Sequence, residues 1–331
     1  MSQLRLNPLN GRWVTIVAER SERPSDFAPR VGQVEAGPQR PCPFCPGNEE
    51  AAPPALAAHP DNENWKVRVV ENRYPAFSGD EHMAVRNLGP VHVQADASGQ
   101  HEVLVFTPSH TASFADLSDE QVGLAMTALG SRLAAHAAMP HIRYTQAIVN
   151  HGREAGASLA HPHGQLLGMP FVPGDILDEE RAFARFEGGC VLCTTAAVEE
   201  LDGSRVVQSN EHVLVVCPYW SGVPFELLVI PRAHDAHLDE ADATSLAGVG
   251  RGIRDSLQDL VGVLGDVSYN LVFHTSPHQH RDGHFHWHAH VWPKLTTIAG
   301  FERGTGVMIN ITAPEAAAAR LNALHQLDAA G

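Results

Sequence analysis

The chain has 331 residues, of which 44% are apolar, 18% charged and 6% aromatic, a composition typical of globular proteins and not of disordered, fibrous or membrane proteins. Lysine and arginine total 23 against 38 acidic residues, and the net charge of -15 argues against a broad electrostatic surface for nucleic acid or an anionic membrane. The 21 histidines stand beside only 5 cysteines, four of which form two C-x-x-C pairs.

The expected cellular location of the chain bears on the state of its cysteines. No segment approaches the roughly 20 apolar residues that span a bilayer, and the beginning, MSQLR, lacks the apolar stretch of a secretion signal. We therefore expect a cytoplasmic protein, in which disulfides seldom persist. The two C-x-x-C pairs are then metal ligands or redox pairs, whereas Cys217, within an apolar run, is predicted to be a core residue.

The first half of the chain predicts a strand, a helix and a second strand. Residues 102–106 (EVLVF) are typical of a strand. Ser118 stands three residues before Gln121, which is the pattern of a capping box, and apolar residues recur at helical spacing after it. Residues 144–149 predict the second strand, which leads to the cluster H-P-H-G-Q at residues 161–165.

The second half repeats this order. Residues 226–230 (ELLVI) predict a strand, and apolar residues from 246 to 260 recur with the period of a helix. Residues 269–273 predict another strand, which leads to the cluster H-W-H-A-H at residues 286–290. In each half, a histidine cluster therefore follows the predicted second strand.

The two halves also agree in spacing. Seventeen residues separate Tyr144 from His161, and seventeen separate Tyr269 from His286. Each half has its own C-x-x-C pair, and agreement of this kind is typical of an internal repeat. We predict an α+β fold of two tandem units, each an antiparallel sheet with a helix packed on it, fused into one body.

A zinc site is predicted in the first half. Structural zinc takes four thiolate or imidazole ligands, and a C-x-x-C pair often supplies two of them. Cys42 and Cys45 form such a pair, and His110 and His161 are the natural completion. The redox interpretation is disfavoured, because no thioredoxin-like βαβ pattern surrounds either pair.

The second half offers two ligand sets for a further metal. The repeat favours a set with two thiolates and two imidazoles, namely Cys190, Cys193, His234 and His286. His237 competes with His234 for its place in that set. The other set has one carboxylate and three imidazoles, namely Glu179, His274, His288 and His290. Three more histidines of this segment are interpreted as solvated loop residues: His278, His280 and His284.

His163 is predicted to be a nucleophile. In an extended strand His161, His163 and Gln165 project to one side, so a zinc-bound His161 would hold His163 in a rigid setting. An imidazole with a pKa near 6.5 is mostly neutral at cytoplasmic pH and can attack phosphorus without a separate base. Attack on the α-phosphorus of a nucleoside diphosphate compound gives a labile phosphoramidate, with Gln165 stabilising charge on the phosphoryl oxygens.

The segment NHGREAGASLAHPHGQ, residues 150–165, strongly resembles the active-site segment of galactose-1-phosphate uridylyltransferases, a branch of the histidine-triad superfamily. Similarity extends over most of the chain, through NGRW at 10–13, CPFC at 42–45, ENRYP at 71–75 and residues 286–293. The resemblance implies two histidine-triad-like units, residues 1–178 with the catalytic H-P-H-G-Q and residues 179–331. It also implies a homodimer with both sites near the interface.

The resemblance implies roles for individual residues. His163 carries the nucleotidyl group, Gln165 marks transferases as opposed to hydrolases, and zinc is held by the first ligand set. The nucleotide contacts correspond to Arg20, Asn72, Asn150, Gly156, Ser158 and Gln165. The contacts to the hexose correspond to Phe301 and Glu302.

The leading hypothesis is a two-step nucleotidyl transfer. UDP-glucose loads His163 and releases glucose 1-phosphate, and galactose 1-phosphate then takes the uridylyl group. The G-T-G run at residues 304–306 and the second C-x-x-C resemble instead a relative that phosphorolyses ADP-glucose. The alternative is therefore a phosphorylase of ADP- or GDP-hexose that uses inorganic phosphate, and a third hypothesis is a zinc-stabilised nucleotide-binding module without catalysis.

Overall fold

The computed structural model describes residues 2–17 and 41–328, which form fifteen strands and six helices. The strands are β1 Gln3–Leu6, β2 Trp13–Ile16, β3 Ala55–His59, β4 Val67–Glu71, β5 Arg86–Asn87, β6 Val93–Gln94, β7 Gln100–Val105, β8 Tyr144–His151, β9 His163–Met169, β10 Val206–Ser209, β11 Val213–Val216, β12 Leu227–Pro231, β13 Tyr269–His274, β14 His288–Pro293 and β15 Met308–Asn310. The helices are α1 Asp119–Ala137, α2 Gly174–Arg185, α3 Val191–Asp202, α4 Ala243–Leu264, α5 Gly300–Thr305 and α6 Pro314–Asp328.

Ten of these strands form a single antiparallel sheet to which each half contributes five. The strand order is β10-β11-β12-β14-β13-β8-β9-β7-β4-β3. The halves meet where β8 pairs with β13, with Ala147 opposite Phe273 and His151 opposite Tyr269. Because β8 and β13 are corresponding strands of the repeat, their antiparallel pairing relates the halves by an approximate two-fold axis. The predicted α+β fold with two repeated units is confirmed.

One face of this sheet packs against helices, and the other carries the candidate site residues. Successive side chains of a strand point to opposite faces, and Val149, Leu166 and Ala289 lie on the face covered by α1, α4 and α6, in a core that runs through both halves. His163 and Gln165 of β9 and His288 of β14 have the opposite alternation to Leu166 and Ala289, so they point to the opposite face. The candidate functional side chains therefore share one face of a rigid sheet.

Helix α1 begins where the sequence predicts. Ser118 accepts a hydrogen bond from the backbone N–H of Gln121, and the Gln121 side chain accepts one from the backbone N–H of Ser118. The side chain of Asp242 caps α4, without a reciprocal bond, by accepting from the N–H groups of Thr244 and Ser245. The two helices pack on each other over the sheet. Cys217 is fully buried, as predicted.

The N-terminal strands lie on the C-terminal half. β1, β2 and β15 form a separate sheet, and Arg5 of β1 bonds Glu315 of α6 at 2.9 Å. The boundary expected between residues 178 and 179 falls within α2 and stays a proposal. None of the helices in the described ranges is long and apolar enough to cross a membrane.

Candidate active site and metal centres

His163 stands at the start of β9 with one ring nitrogen engaged and the other available. Its Nδ1–H donates to the carbonyl of His161 at 2.8 Å, which leaves the lone pair on Nε2. Burial lowers the pKa of His163, and the bond to His161 opposes this in part, so the imidazole is neutral at pH 7. The Phe44 ring lies 5.6 Å from the imidazole between centroids. The side chain is thus an oriented, uncharged imidazole.

Gln165 lies on the same face of β9, two residues after His163. Its Oε1 is 2.9 Å from Nε2 of His101 on the neighbouring strand β7. The Nδ1 of His101 accepts the backbone N–H of Ala76 at 3.0 Å. Burial lowers the pKa of His101, so this ring is also neutral. Asn72 joins the cluster, because its Nδ2 lies 3.1 Å from His101 Nε2 and its Oδ1 accepts the backbone N–H of Tyr74.

The end of β8 and the loop after it carry more of the predicted nucleotide contacts. Asn150 accepts a hydrogen bond through Oδ1 from Asn270 of the other half at 2.7 Å, and Asn270 also donates to the carbonyl of Ala155. Gly152 and Gly156 have φ values of 79° and 92°, which glycine adopts without the strain of other residues. The loop is therefore tied to the second half by side-chain amides and closes tightly.

A pocket lies beside His163 under this loop. It is lined by loop residues and by aromatic rings from the core: Asn150, His151, Gly152, Ala157, Leu159, Ala160, Phe106, Phe114 and Tyr269. His161 and His163 line the same pocket. An imidazole beside backbone N–H and side-chain amide groups is an arrangement that suits transfer of a phosphoryl-containing group.

The first predicted metal set is assembled next to His163. The four donor atoms of Cys42, Cys45, His110 and His161 all lie within 4.8 Å of one another. The sulfur-to-nitrogen distances are 3.3 to 3.8 Å, close to the value of about 3.6 Å that tetrahedral zinc imposes. His161 Nε2–H donates to the carbonyl of Thr107 at 2.8 Å, so its Nδ1 faces the thiols. The residues fit a zinc ion.

The second thiolate set is assembled in the same way. Cys190, Cys193, His234 and His286 bring their donor atoms within 4.8 Å of one another, and His286 Nε2–H donates to the carbonyl of Pro231 at 3.0 Å. Of the two competing histidines, His234 is the one in this cluster, with its Nε2–H donating to the carbonyl of Gly283 at 3.0 Å, and His237 lies outside it. The local backbone differs between the repeats, since Cys190 caps the start of α3 whereas Cys42 and Cys45 lie in a turn.

The carboxylate set is a third, separate and fully buried cluster. Glu179 of α2 bonds His274 Nδ1 at 2.9 Å and lies 3.7 Å from His288 Nε2, and His290 completes the group. Burial alone would raise the pKa of Glu179, but the imidazoles lower it to about 2. The two sets that the sequence offered as alternatives therefore coexist. Glu179 also covers His288, the residue that corresponds to His163 in the repeat.

The sequence of the chain is similar to proteins of one known family over nearly its whole length. Residues 1–173 match the family described as galactose-1-phosphate uridyl transferase, N-terminal domain, and residues 177–330 match the C-terminal domain of the same family. The chain belongs to the galactose-1-phosphate uridyl transferase family. Among members of this family, the ADP-glucose phosphorylase of Arabidopsis thaliana is 32% identical, over 95% of this chain and 90% of that protein. The galactose-1-phosphate uridylyltransferase of Thermotoga maritima is 28% identical, over 97% and 98% of the two chains.

Solved structures of the family have the same fold. The crystal structure of the Arabidopsis thaliana ADP-glucose phosphorylase with bound ADP-glucose has a TM-score of 0.82 at 30% identity, over 97% of this chain and 98% of that one. A uridylyltransferase structure has a TM-score of 0.76 at 26% identity, over 99% of each chain. Both the transferase and the phosphorylase alternatives are thus represented among relatives of comparable similarity.

Not every residue implied by the family resemblance lies at the His163 pocket. Arg20 lies outside the described residues, and Ser158 is exposed on the loop. Phe301 and Glu302 lie on α5, ahead of β15, whose Asn310 bonds the carbonyl of Ser221 between β11 and β12. Four strand spacings, roughly 19 Å, separate β12 from β9. Within the described chain, no hydrogen bond or ion pair joins α5 to the pocket residues.

The interpretation of His278 as a solvated residue was wrong. His278 is 2% exposed, and its Nε2 lies at hydrogen-bond distance from Thr145 Oγ1, 2.8 Å, across the junction of the halves. Thr145 lies 3.1 Å from His136, which in turn contacts Glu102 at 3.0 Å. His280 and His284 are exposed as expected, with His280 paired to Glu180.

Sequence reasoning missed His101, Asn270 and the chain from His278 to Glu102. His101 contacts Gln165 across 64 residues of sequence, Asn270 contacts Asn150 across 120 and His278 contacts Thr145 across 133, so no local spacing predicts these contacts. One signal was available for His101. It precedes the predicted strand at 102–106 by one residue, so it shares a face with Val103 and Val105 once the strand is extended.

Proposed function

We propose that the chain is a nucleotidyltransferase that forms a covalent nucleotidyl-His163 intermediate. The observation that supports this most directly is His163 itself, a neutral imidazole whose Nδ1–H is held by the His161 carbonyl. The lone pair of Nε2 then needs no base to release it. The family to which the chain belongs is a family of enzymes. The relatives named above are a phosphorylase and a uridylyltransferase.

The proposed reaction has two displacements at one phosphorus atom. The Nε2 lone pair attacks the α-phosphorus of the nucleotide sugar, the N–P bond forms, and the hexose 1-phosphate leaves with the electrons of the broken P–O bond. An oxygen of the acceptor phosphate then attacks the same phosphorus, and the electrons of the N–P bond return to Nε2. The proton on Nδ1 stays in place, and the His161 carbonyl stabilises the positive ring of the intermediate.

The side-chain amides supply the anion contacts in this proposal. The overall charge of -15 repels a phosphate-rich substrate, so binding depends on local donors. Gln165, Asn150, Asn72 and the backbone of the loop through Gly156 and Ser158 would provide them, with Arg20 as the cationic contact that the resemblance implies. Neutral donors fixed in position stabilise developing charge without reorganising during the reaction.

We propose that Cys42, Cys45, His110 and His161 hold zinc. Bound there, zinc would supply a rigid cross-link between the Cys42 turn and the residues just before His163. The two further clusters, with Cys190 and with Glu179, are proposed metal sites of the second half. A reducing location such as the cytoplasm suits the free thiols of both C-x-x-C pairs.

The substrates are proposed at two levels. The first candidate is UDP-glucose with galactose 1-phosphate as acceptor, giving UDP-galactose. The second is phosphorolysis of an ADP- or GDP-hexose, which the 32% identity to an ADP-glucose phosphorylase supports. In both, His163 carries the nucleotidyl group and only the base and the acceptor differ.

We propose a homodimer as the working assembly. Phe301 and Glu302 lie on an element that is anchored far from His163 along the sheet. A two-fold partner would allow α5 of one subunit to approach the pocket of the other, where the hexose is expected. The two units proposed for the chain are residues 1–178, with the catalytic segment, and residues 179–331.

The covalent intermediate gives a direct test. Incubation with UDP-glucose or ADP-glucose, followed by mass analysis of the peptide that contains His163, should show an added nucleoside monophosphate. His163→Ala should abolish the adduct and turnover, whereas His288→Asn, at the corresponding position of the other half, should retain labelling. Tight binding of nucleotide sugars without any adduct would instead support the non-catalytic module.

The acceptor is decided by the second step. Labelled protein is mixed with galactose 1-phosphate, glucose 1-phosphate or inorganic phosphate, and the released nucleotide is identified. Release as a nucleotide sugar supports the transferase, and release as a nucleoside diphosphate supports the phosphorylase. Slow loss as a nucleoside monophosphate with every acceptor would contradict both.

Metal analysis tests the ligand sets. Purified protein should contain zinc, and Cys45→Ser should remove about one equivalent per chain, because one of the four ligands is lost. Cys193→Ser should remove a further equivalent if the second thiolate set is filled. An unchanged zinc content in Cys45→Ser would refute the first site.

A further inference from the structure

Two amide side chains, Gln165 two residues after His163 in β9 and Asn150 in the lining of the pocket, are each held in one orientation by a neighbouring side chain. An Asn or Gln amide binds a phosphate oxygen only when its NH2 group faces the ligand. Whatever engages the amide oxygen from behind therefore decides whether the side chain can act as a donor. The residues that do this for Gln165 and Asn150 had no role in the sequence interpretation.

The orientation of Gln165 follows from a chain of bonds that begins at the backbone. The N–H of Ala76 can only donate, so the Nδ1 of His101 that lies 3.0 Å away is the unprotonated nitrogen. The proton of His101 is then on Nε2, which lies 2.9 Å from the side chain of Gln165 and 3.1 Å from Asn72 Nδ2. A nitrogen that carries a proton cannot accept from an NH2 group, so of these two neighbours only Gln165 can be its hydrogen-bond partner. Gln165 must present its oxygen there, and its NH2 group is turned away from His101.

The same logic applies at Asn150. Asn270 donates through Nδ2 to the carbonyl of Ala155 at 2.9 Å, which fixes the orientation of its own amide. Its NH2 group also reaches Asn150 at 2.7 Å, so Asn150 accepts there through Oδ1. Its Nδ2 then faces Gly156, whose added Cβ would lie 3.8 Å from that nitrogen. Two amides near the pocket thus have their oxygens engaged by protein donors.

Geometry places His101 well for this task. On the β7–β9 pair Val103 lies opposite Gln165 and Val105 opposite His163, so His101 shares their face and is the diagonal neighbour of Gln165. The side chain is 8% exposed, and the backbone N–H of Ala76 holds its far side. A buried ring held at both nitrogens is a rigid support.

We propose that His101 is a positioning residue, which holds the Gln165 amide with its NH2 group toward the α-phosphate of the nucleotide. The inference rests on the proposed function, because it assigns His101 a role in forming nucleotidyl-His163. His101 itself need not touch the substrate. Its contribution is to the rate of the first displacement, through the donor that Gln165 offers to the developing charge.

Two substitutions separate the two hydrogen bonds of His101. An Asn at this position places a polar atom where Nδ1 lies, so His101→Asn can still accept from Ala76 but cannot reach Gln165. A Gln extends as far as Nε2 and can offer an N–H there. We expect His101→Asn to slow the formation of nucleotidyl-His163 by about 10- to 100-fold, with the KM for the nucleotide sugar changed much less, and His101→Gln to restore most of the rate.

A double-mutant cycle tests whether the effect passes through Gln165. In a Gln165→Ala background, His101→Asn should slow labelling less than twofold further, because no amide remains to be positioned. The control is His141→Asn, another buried histidine, which should leave labelling unchanged. Thermal unfolding of each variant identifies any that is misfolded. If His101→Asn is misfolded, the labelling rate of His101→Gln is compared with that of wild type instead.

The outcomes distinguish the two proposals. If wild-type protein forms no nucleotidyl-His163, the proposed function fails. If wild type is labelled and His101→Asn is labelled equally fast, or is slowed as much with Gln165→Ala as without it, the positioning role of His101 is wrong.

Discussion

At the residue scale, the sequence predicts metal-ligand residues better than it predicts the residues that hold site side chains in position. Cys42, Cys45 and His161 could be named because C-x-x-C and H-x-H spacings are local patterns with few chemical interpretations. His101 and Asn270 could not, because each is defined by a hydrogen bond to a residue 64 or 120 positions away. A residue that positions another side chain can be recognised only when the strand register shows which residues are neighbours.

The loop of the pocket also depends on a single backbone position. Gly152 has a φ of 79°, and a Cβ built there would lie 2.1 Å from Ser268 Oγ and 3.1 Å from Ser268 Cα. We expect Gly152→Ala to lower the free energy of unfolding by roughly 1 to 3 kcal/mol through strain, and to slow labelling of His163 because the loop shifts. Denaturant unfolding measures the first effect.

A matched substitution controls for the added methyl group. Gly174, at the start of α2, has open space around its Cβ position and no positive φ. Gly174→Ala should leave the free energy of unfolding unchanged or slightly higher, because alanine favours a helix. Equal destabilisation by both variants would contradict the role assigned to Gly152.

At the scale of elements, periodicity predicts α1, α4 and the central strands, but not how the halves are joined. Apolar spacing and the Ser118 cap define α1 without reference to the rest of the chain. Helices α2 and α3 carry no such signal that the sequence analysis could use, although α2 provides Glu179 and α3 begins at Cys190. Their places follow from packing on the site face of the second half.

The buried contact between His278 and Thr145 makes the junction of the halves sensitive to pH. Burial lowers the pKa of His278 to about 4, from an ordinary value of 6.5. The unfolded chain therefore binds a proton between pH 6.5 and 4 that the folded chain does not, so stability falls as the pH is lowered through this window. The loss for this residue is roughly 3 kcal/mol once the pH is below 4.

The prediction is tested with a side chain that cannot titrate. His278→Gln can still donate to Thr145, so its thermal midpoint should fall less than that of wild type between pH 7 and pH 4.5. His82→Gln, in an exposed segment, should follow the wild-type curve. Parallel curves for wild type and His278→Gln would show that His278 does not contribute.

At the scale of the whole molecule, the repeat predicts two similar units but not one continuous sheet. Spacing shows that the halves correspond, and it carries no information on which strand edges meet. The structure resolves this through the β8–β13 pair, because an unpaired edge on either strand would leave backbone groups without partners. The N-terminal strands β1 and β2 on the C-terminal half are a second feature that no repeat could predict.

One core that runs through both halves has a thermodynamic consequence. Leu104 of the first half and Trp287 of the second belong to the same buried cluster, which α1 and α4 cover together. Unfolding one half would expose the β8–β13 edge and this core, so we expect a single cooperative transition. Leu104→Ala should lower the free energy of unfolding by roughly 3 kcal/mol, the usual cost of such a cavity.

The test is whether the second half senses that substitution. With Trp13 and Trp65 replaced by Phe, the remaining tryptophans, Trp220, Trp287 and Trp292, report on the C-terminal half. Their fluorescence and the far-UV circular dichroism should then give coincident midpoints, and Leu104→Ala should lower both equally. If Leu104→Ala lowered only the dichroism midpoint, the halves would unfold independently, and the continuous sheet would not couple the stability of one half to that of the other.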